Sequence, residues 1–476
     1  MGTKIIISIN KKPPIEIKIF MRTSIIDLLK KYDVPTPRYT SYPTVPYWDF
    51  STLDEAKWKQ SVVDTFYAEN GELCIYIHLP FCENLCTFCA CTKRITKNHA
   101  VEDPYLAAVL KEWGMYRSLL FAAPIIKEIH LGGGTPTFFS ADNLVKLITG
   151  ITKDAIVKED HEFSIEVHPN YTTEEHIEKL AGAGFNRISL GVQDFDPKVQ
   201  FVINRIQSFE RTKEVVEWAR KYHYNSINID LIYGLPHQTV DSVKFSVNKI
   251  TSLMPDRIAF YSYAHVPWKS KGQRHYTEAD LPAATQKWEM YNTGKDLLEA
   301  AGFVSIGMDH FALKNDKLFT AAKTGNLHRN FMGYTTTKSK LIIALGVSSI
   351  GDAWNAFAQN EKEVEAYEEK INEGKLPLVN GHLLSDEDTI IRRKLLELMC
   401  NNSTIINSEK LDPEFVESMF FKLRKLEADG LIDINNSTIL VTTKGNSFIR
   451  NISAALDAKL WRNEIKRDTN TFSKAI

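Results

Sequence analysis

Between residues 73 and 310, short apolar runs rich in β-branched residues alternate with longer amphipathic stretches. The runs are Cys74–Leu79, Glu128–Leu131, Phe163–Val167, Arg187–Val192, Ser226–Ile232 and Arg257–Tyr261. Each is close to continuously apolar, as strands buried on both faces must be. The stretches Pro104–Phe121, Thr173–Ala183, Phe209–Tyr222 and Val240–Leu253 place their apolar residues at helical spacing. Six strand-then-helix units predict an α/β fold with a parallel sheet under helices. Periodicity does not separate an open doubly wound sheet from a partial (β/α)6 barrel. Suspicious residues favour strand ends: Gly132–Pro136, Glu166, Gln193, Tyr233–Pro236 and Tyr263–His265. Active sites of both architectures gather at that edge.

The flanks read differently. Residues 1–70 form an N-terminal arm, with a lysine-rich start, a short helix over Ser24–Tyr32, then Pro35, Pro37, Pro43 and Pro46. Met21 offers a second start, so the first 20 residues are expected to be dispensable. After the 71–310 barrel, residues 311–375 read as a connecting or extension segment and 376–476 as a mainly helical domain. There, helices near Asp386–Cys400 and Pro413–Asp429 precede Leu431–Ile434, the turn Asn435-Asn436 and Thr438–Thr442. Two helices and a hairpin predict a winged-helix-like shape. DNA binding would need a basic stripe; the charge here is mixed, which favours a packing or lid role.

Composition narrows the class. Formal net charge is −1, so no bulk field draws the chain to nucleic acid or an anionic membrane. No stretch approaches the roughly 18 apolar residues of a membrane span. The run Lys4–Ile9 breaks at Lys11-Lys12-Pro13-Pro14 and lacks the apolar core and cleavage site of a secretory signal. A cytoplasmic, monomeric protein is expected. Of six cysteines, Cys82, Cys86, Cys89 and Cys91 fall within ten residues. In a reducing compartment such clustering means metal or redox chemistry rather than disulfides.

Cys82, Cys86 and Cys89 have the spacing C-x3-C-x2-C immediately after the first strand. Three thiolates bind three irons of a 4Fe-4S cube and leave the fourth iron open to another ligand. A structural zinc site wants four ligands, usually two separated pairs, and no second pair or histidine pair is present. Phe88, the aromatic before the third cysteine, adds to the cluster reading.

This spacing with its aromatic resembles the signature of the radical S-adenosylmethionine (SAM) superfamily. Other segments resemble one of its families, the oxygen-independent coproporphyrinogen III oxidases. They are Pro37–Thr44, Cys89-Ala90-Cys91, Leu131–Pro136, Gly191–Phe195, Asn228–Pro236, Tyr263–His265, Gly307–Phe311, Leu327–Phe331 and Gly333–Thr336. The likeness runs in order from about residue 26 to the end.

The resemblance implies a 4Fe-4S cluster on Cys82, Cys86 and Cys89, with Cys91 nearby but not a ligand. It implies that SAM chelates the open iron and is cleaved to methionine and a 5′-deoxyadenosyl radical. Tyr76, Phe88, Ala90, Gly133, Gly134, Thr135 and Glu166 match SAM-contacting positions. Gln193, Arg205, Asp230, Ala264 and Ile350 match further cofactor-pocket positions, some serving a second SAM. The implied reaction converts two propionates of coproporphyrinogen III to vinyl groups, giving protoporphyrinogen IX in haem biosynthesis. A low-potential electron donor is required. Four propionates call for guanidinium partners, with Arg38, Arg274 and Arg329 as candidates.

The sequence departs from the family pattern in places. Ala90 replaces a usual glycine, Lys338–Ala344 lacks an acidic residue and a glycine, and Ser453-Ala454 replaces a Cys-Met pair. The alternatives are another porphyrin-directed radical SAM enzyme, a methyltransferase or haem-opening enzyme, and a haem chaperone.

Overall fold

All six expected strands pair side by side in chain order and all are parallel. They are β1 (Glu72–Leu79), β2 (Ile125–Gly133), β3 (Ile156–Val167), β4 (Arg187–Gln193), β5 (Ser226–Tyr233) and β6 (Arg257–Ser262). The computed structural model describes residues 25–406, 410–463 and 471–475; the lysine-rich start and Met21 lie outside the described residues. A doubly wound sheet reverses its strand order at a switch point, and these six strands run on without one. That order is the winding of a partial barrel.

The sheet continues at both edges. Beyond β6 lie the antiparallel β7 (Val304–Gly307) and β8 (His310–Ala312). The hairpin β9 (His328–Asn330) and β10 (Gly333–Thr335) stands apart. On the free edge of β1, β11 (Ile342–Leu345) adds a seventh parallel strand. The antiparallel β12 (Ile350–Asp352), β13 (Ala356–Asn360) and β14 (Leu378–Leu383) follow it. Among the described residues no pairing closes the sheet on itself.

Helices cover one face of the sheet. Ile75, Ile77, Ile129, Leu131, Ile165, Leu190, Ile229 and Phe260 are buried there in a single apolar core. Successive side chains of a strand point to opposite faces, so the intervening residues face the barrel interior, and many are polar. At the N-terminal ends of the strands this inner row forms an ion-pair plug. Arg187 Nη1 donates to Glu162 at 2.6 Å, and Arg257 Nε to Asp316 at 2.8 Å. Nearer the C-terminal ends the inner row carries His130, Ser164, Glu166, Ser189, Asn228 and Asp230. Reading these strands as continuously apolar passes over that alternation.

The second core belongs to the C-terminal module of α1 (Asp386–Asn401), α2 (Pro413–Ala428) and α3 (Ile449–Ala455), with a small sheet from Ser403–Ile405, Ile432–Asn435 and Thr438–Val441. Leu28, Leu29, Tyr39 and Tyr42 of the arm are buried in this core. Arg450 fastens the arrangement: Nε donates to Pro37 O at 3.2 Å, and Nη1 to Lys474 O and Ala475 O at 3.0 and 2.9 Å. Tyr39 Oη donates to Asp457 at 3.0 Å.

Candidate active site

The cysteines lie on the loop that leaves β1, and two neighbouring segments fix that loop's backbone. The Thr87 N–H donates to Ile203 O at 2.9 Å, Ser270 Oγ to Cys89 O at 2.9 Å, and Gln273 Nε2 to Phe88 O at 2.7 Å. Gln273 also reaches the Ala264 carbonyl at 3.2 Å, which ties Ala264 to Phe88. The tip of β2 packs underneath. A Cβ on Gly134 would stand 2.5 Å from Pro80 O, and one on Gly133, at φ +113°, 2.8 Å from the His78 ring. Both glycines are therefore demanded by the approach of β2 to the loop.

Cys82, Cys86 and Cys89 line one cavity of about 1050 Å³, counted with its mouth. Phe88, Gly133, Gly134, Thr135, Glu166, Gln193, Arg205 and Asp230 line it too, along with Cys91. Tyr76 and Ile350 line an adjoining cavity of about 590 Å³, and Glu166 borders both. Ala264 lines neither, and Ala90 is exposed between Cys89 and Cys91.

The donor set fits an iron–sulfur cube. Among the described residues, no three His, Cys, Asp or Glu side chains converge tightly enough for a single metal ion. A cube of irons and sulfides spaces its cysteines more widely than tetrahedral zinc does. Positive charge borders the thiols: Lys93 Nζ donates to the carbonyls of Cys89 and Cys91 at 3.0 and 3.2 Å, and Arg205 Nη1 lies 3.5 Å from Cys86 Sγ. Arg205 also donates to Gly191 O, while its buried Nε has no partner. Thr135 Oγ1 is 3.3 Å from Cys82 Sγ.

Two histidines absent from the sequence reading stand at the centre of the site. His130 stacks on Tyr76, with ring centroids 5.9 Å apart, and its Nε2 lies 3.1 Å from Glu166 Oε1. His78 meets Tyr76 Oη at 3.1 Å and Thr92 O at 2.9 Å. Burial alone would raise Glu166, but bonds from His130 and the Gly133 N–H outweigh it and hold the carboxyl below its usual range. Asp230 is pushed the other way, up to about 6, by burial and by the charge of Glu166. Asn228 and Ser189 oppose that rise by donating to it at 2.8 and 3.2 Å. One carboxylate held ionised beside one poised to take a proton can hold ammonium and hydroxyl groups of a ligand. The signal for these partners was the polar residue at every second position of β2, β3 and β5.

The loop over the second cavity hangs on a buried carboxylate. Glu112 accepts from the Gly346 N–H at 2.8 Å, Tyr367 Oη at 2.7 Å and Asn360 Nδ2 at 2.7 Å. Burial raises it from 4.5 to about 7 despite those donors. The folded chain thus binds one more proton than the unfolded chain between these values. Stability from this group is present below 4.5 and lost as pH rises through about 7. Glu112→Gln is expected to flatten that decline, read as melting temperatures of both proteins across the interval.

The three arginines differ. Arg38 Nη2 donates to Ser262 O at 2.8 Å, at the end of β6. Arg274 is exposed, donates to Pro267 O at 3.0 Å and lines neither cavity. Arg329 is buried beneath the arm.

A parallel partial barrel with a three-cysteine loop after its first strand defines the radical SAM class, and a family model of the radical SAM superfamily matches residues 76–250. The chain is 38% identical over 455 residues to the oxygen-independent coproporphyrinogen III oxidase of Escherichia coli, covering 94% of this chain and 98% of that one. It is 37% identical over 451 residues to the Pseudomonas aeruginosa protein of the same name, covering 91% and 95%. The solved structure of coproporphyrinogen III oxidase from Escherichia coli, described as a radical SAM enzyme, superposes with a TM-score of 0.84 at 36% identity over 91% of this chain and 98% of that one. The chain belongs to the oxygen-independent coproporphyrinogen III oxidase family. Among the described residues no helix is long and apolar enough to cross a membrane.

Proposed function

We propose that this chain carries out the oxygen-independent oxidative decarboxylation of two propionates of coproporphyrinogen III to vinyl groups, giving protoporphyrinogen IX in haem biosynthesis. The observation that carries the reading is the near full-length likeness to coproporphyrinogen oxidases, together with three cysteines facing one cavity with Glu166, Asp230 and Arg205. Cys82, Cys86 and Cys89 would hold a 4Fe-4S cluster, which would supply the electron for reductive cleavage of SAM. The chain's own groups orient and shield. Glu166, held ionised by His130, accepts from an ammonium group, and Asp230 accepts from hydroxyls. Arg205 offers its idle Nε to a carboxylate. Removal of hydrogen from the propionate β-carbon, departure of carbon dioxide and transfer of one electron to an acceptor complete each vinyl group.

The test is product analysis without oxygen, with SAM, a low-potential reductant, an electron acceptor and coproporphyrinogen III. Protoporphyrinogen IX is expected through a monovinyl intermediate. Because each vinyl group needs one hydrogen abstraction, about two 5′-deoxyadenosines and two methionines accompany each finished product. Cleavage of SAM with all four propionates surviving would sink the reading.

A further inference from the structure

Arg329 presents an unanswered charge. It lies in β9, is 8% exposed, and its guanidinium rests 4.7 Å from the centroid of the Tyr334 ring. Its buried Nε and Nη1 have no hydrogen-bond partner among the described residues. Arg117, Arg205 and Arg257 also carry an idle nitrogen, but each is anchored through another. Arg329 donates no side-chain hydrogen bond to a described residue. The nearby carboxylate on its own cavity wall, Asp352, is engaged by Arg392 through Nη1 at 3.1 Å and Nη2 at 2.5 Å. A guanidinium buried without an anion or a full set of acceptors is among the costliest arrangements in a protein interior. The buried Asp309 carboxylate lies within electrostatic reach of this guanidinium but makes no ion pair with it, so the fork is left open to an anion from outside the chain.

The surroundings say where that partner comes from. Arg329 and Asp352 face a small cavity roofed by Tyr39, Thr40, Ser41 and Tyr42 of the arm. Phe331 and Ile350 line the cavity shared with Tyr76 and Glu166. Phe331 lies two residues after Arg329, and Ile350 two before Asp352. Along β12 that two-residue step is about 6.6 Å on one face, and Phe331 opens the turn that follows β9, so the two cavities are neighbours. A ligand seated beside Tyr76 and Glu166 can extend a short carboxylate-bearing arm to Arg329.

We propose that Arg329 binds the carboxylate of a propionate that the reaction leaves intact, and so fixes the orientation of the tetrapyrrole. This rests on the tetrapyrrole reading of the site given above. A retained propionate is favoured over a reacting one by charge. A buried guanidinium stabilises carboxylate, and would oppose departure of that group as neutral carbon dioxide. Arginine rather than lysine suits the task, because its planar fork meets both oxygens at once.

The test uses anaerobically purified holoenzyme and two unreactive probes, coproporphyrin III and its tetramethyl ester, titrated by fluorescence. Wild-type protein is expected to bind the acid far better than the ester. Arg329→Met is expected to bind the acid about 30-fold or more weakly, close to the ester, as loss of a buried charge pair implies. Arg329→Lys keeps the charge without the fork and is expected to fall between; it decides the matter if the methionine variant does not fold. Iron content and SAM binding are expected to be unchanged in both variants. Undiminished binding of the acid by the variants would overturn the role of Arg329 and leave the tetrapyrrole reading standing. Failure of wild-type protein to bind the acid at all would overturn the tetrapyrrole reading itself.

Discussion

Cys82→Ala, Cys86→Ala and Cys89→Ala are each expected to abolish the brown chromophore and all SAM cleavage, whereas Cys91→Ala keeps both. The wild-type chain should carry about four irons, as one cube requires. The three thiols line one cavity, and the loop that bears them is fixed by bonds at Thr87, Phe88 and Cys89 to two other segments. Removing one ligand leaves two on a rigid backbone that cannot offer a substitute at the same corner. Cys91 is exposed beside Cys89 and outside the expected ligand set, so its loss should alter the surroundings of the cluster without removing a ligand. Anaerobic iron and sulfide assays with visible spectra check the set. Iron lost from Cys91→Ala but kept in Cys89→Ala would reverse the assignment.

Deleting residues 1–47 is expected to abolish turnover and unfold the C-terminal module while the cluster survives. The deletion strips Leu28, Leu29, Tyr39 and Tyr42 from the second core. At about 1.5–3 kcal/mol for each buried apolar side chain, the loss is on the order of 6–12 kcal/mol. Whole domains are stable by only about 5–15 kcal/mol. The cysteine loop draws its bonds from Ile203, Ser270 and Gln273, none of which the arm supplies. Limited proteolysis should therefore cut within α1 and α2 of the truncated protein, with iron content unchanged. Resistance there together with full activity would show the arm to be dispensable. Deletion of residues 1–20 alone is expected to be silent.

Much of this was legible in the sequence because the strands are strongly patterned and the cysteines are close in the chain. The six parallel strands and the cysteine loop needed only local information; the order of the strands did not follow from periodicity. The arm was legible as an arm, but what it packs against was not. Its apolar residues answer to a core built from residues beyond 386, and no short window holds both. The seventh parallel strand was missed for a similar reason: Ile342–Leu345 pairs with β1 from some 270 residues away. His130 was missed because the apolar residues between the inward-facing ones drew the eye to continuity. Its signal is an alternation, visible once Glu128, His130 and Gly132 are read as a row facing Ser164 and Glu166.

The fastening of the arm has a consequence for the order of events during synthesis. The N-terminal end of the described chain joins segments near the other end: Pro35 bridges Lys474, the Thr36 N–H donates to Ser473 O at 3.1 Å, and Arg450 holds both strands. A ribosome releases the arm long before α3 exists. The barrel, whose parallel strands pair in chain order, can assemble while translation continues. The arm must wait, with Leu28, Leu29, Tyr39 and Tyr42 unburied, until the last segment emerges. Roofing of the Arg329 cavity is then the final act of folding, so a chain that stalls before residue 450 remains open above its reaction chamber. A pulse-labelled ribosome-bound series should show the barrel resisting protease well before the arm does.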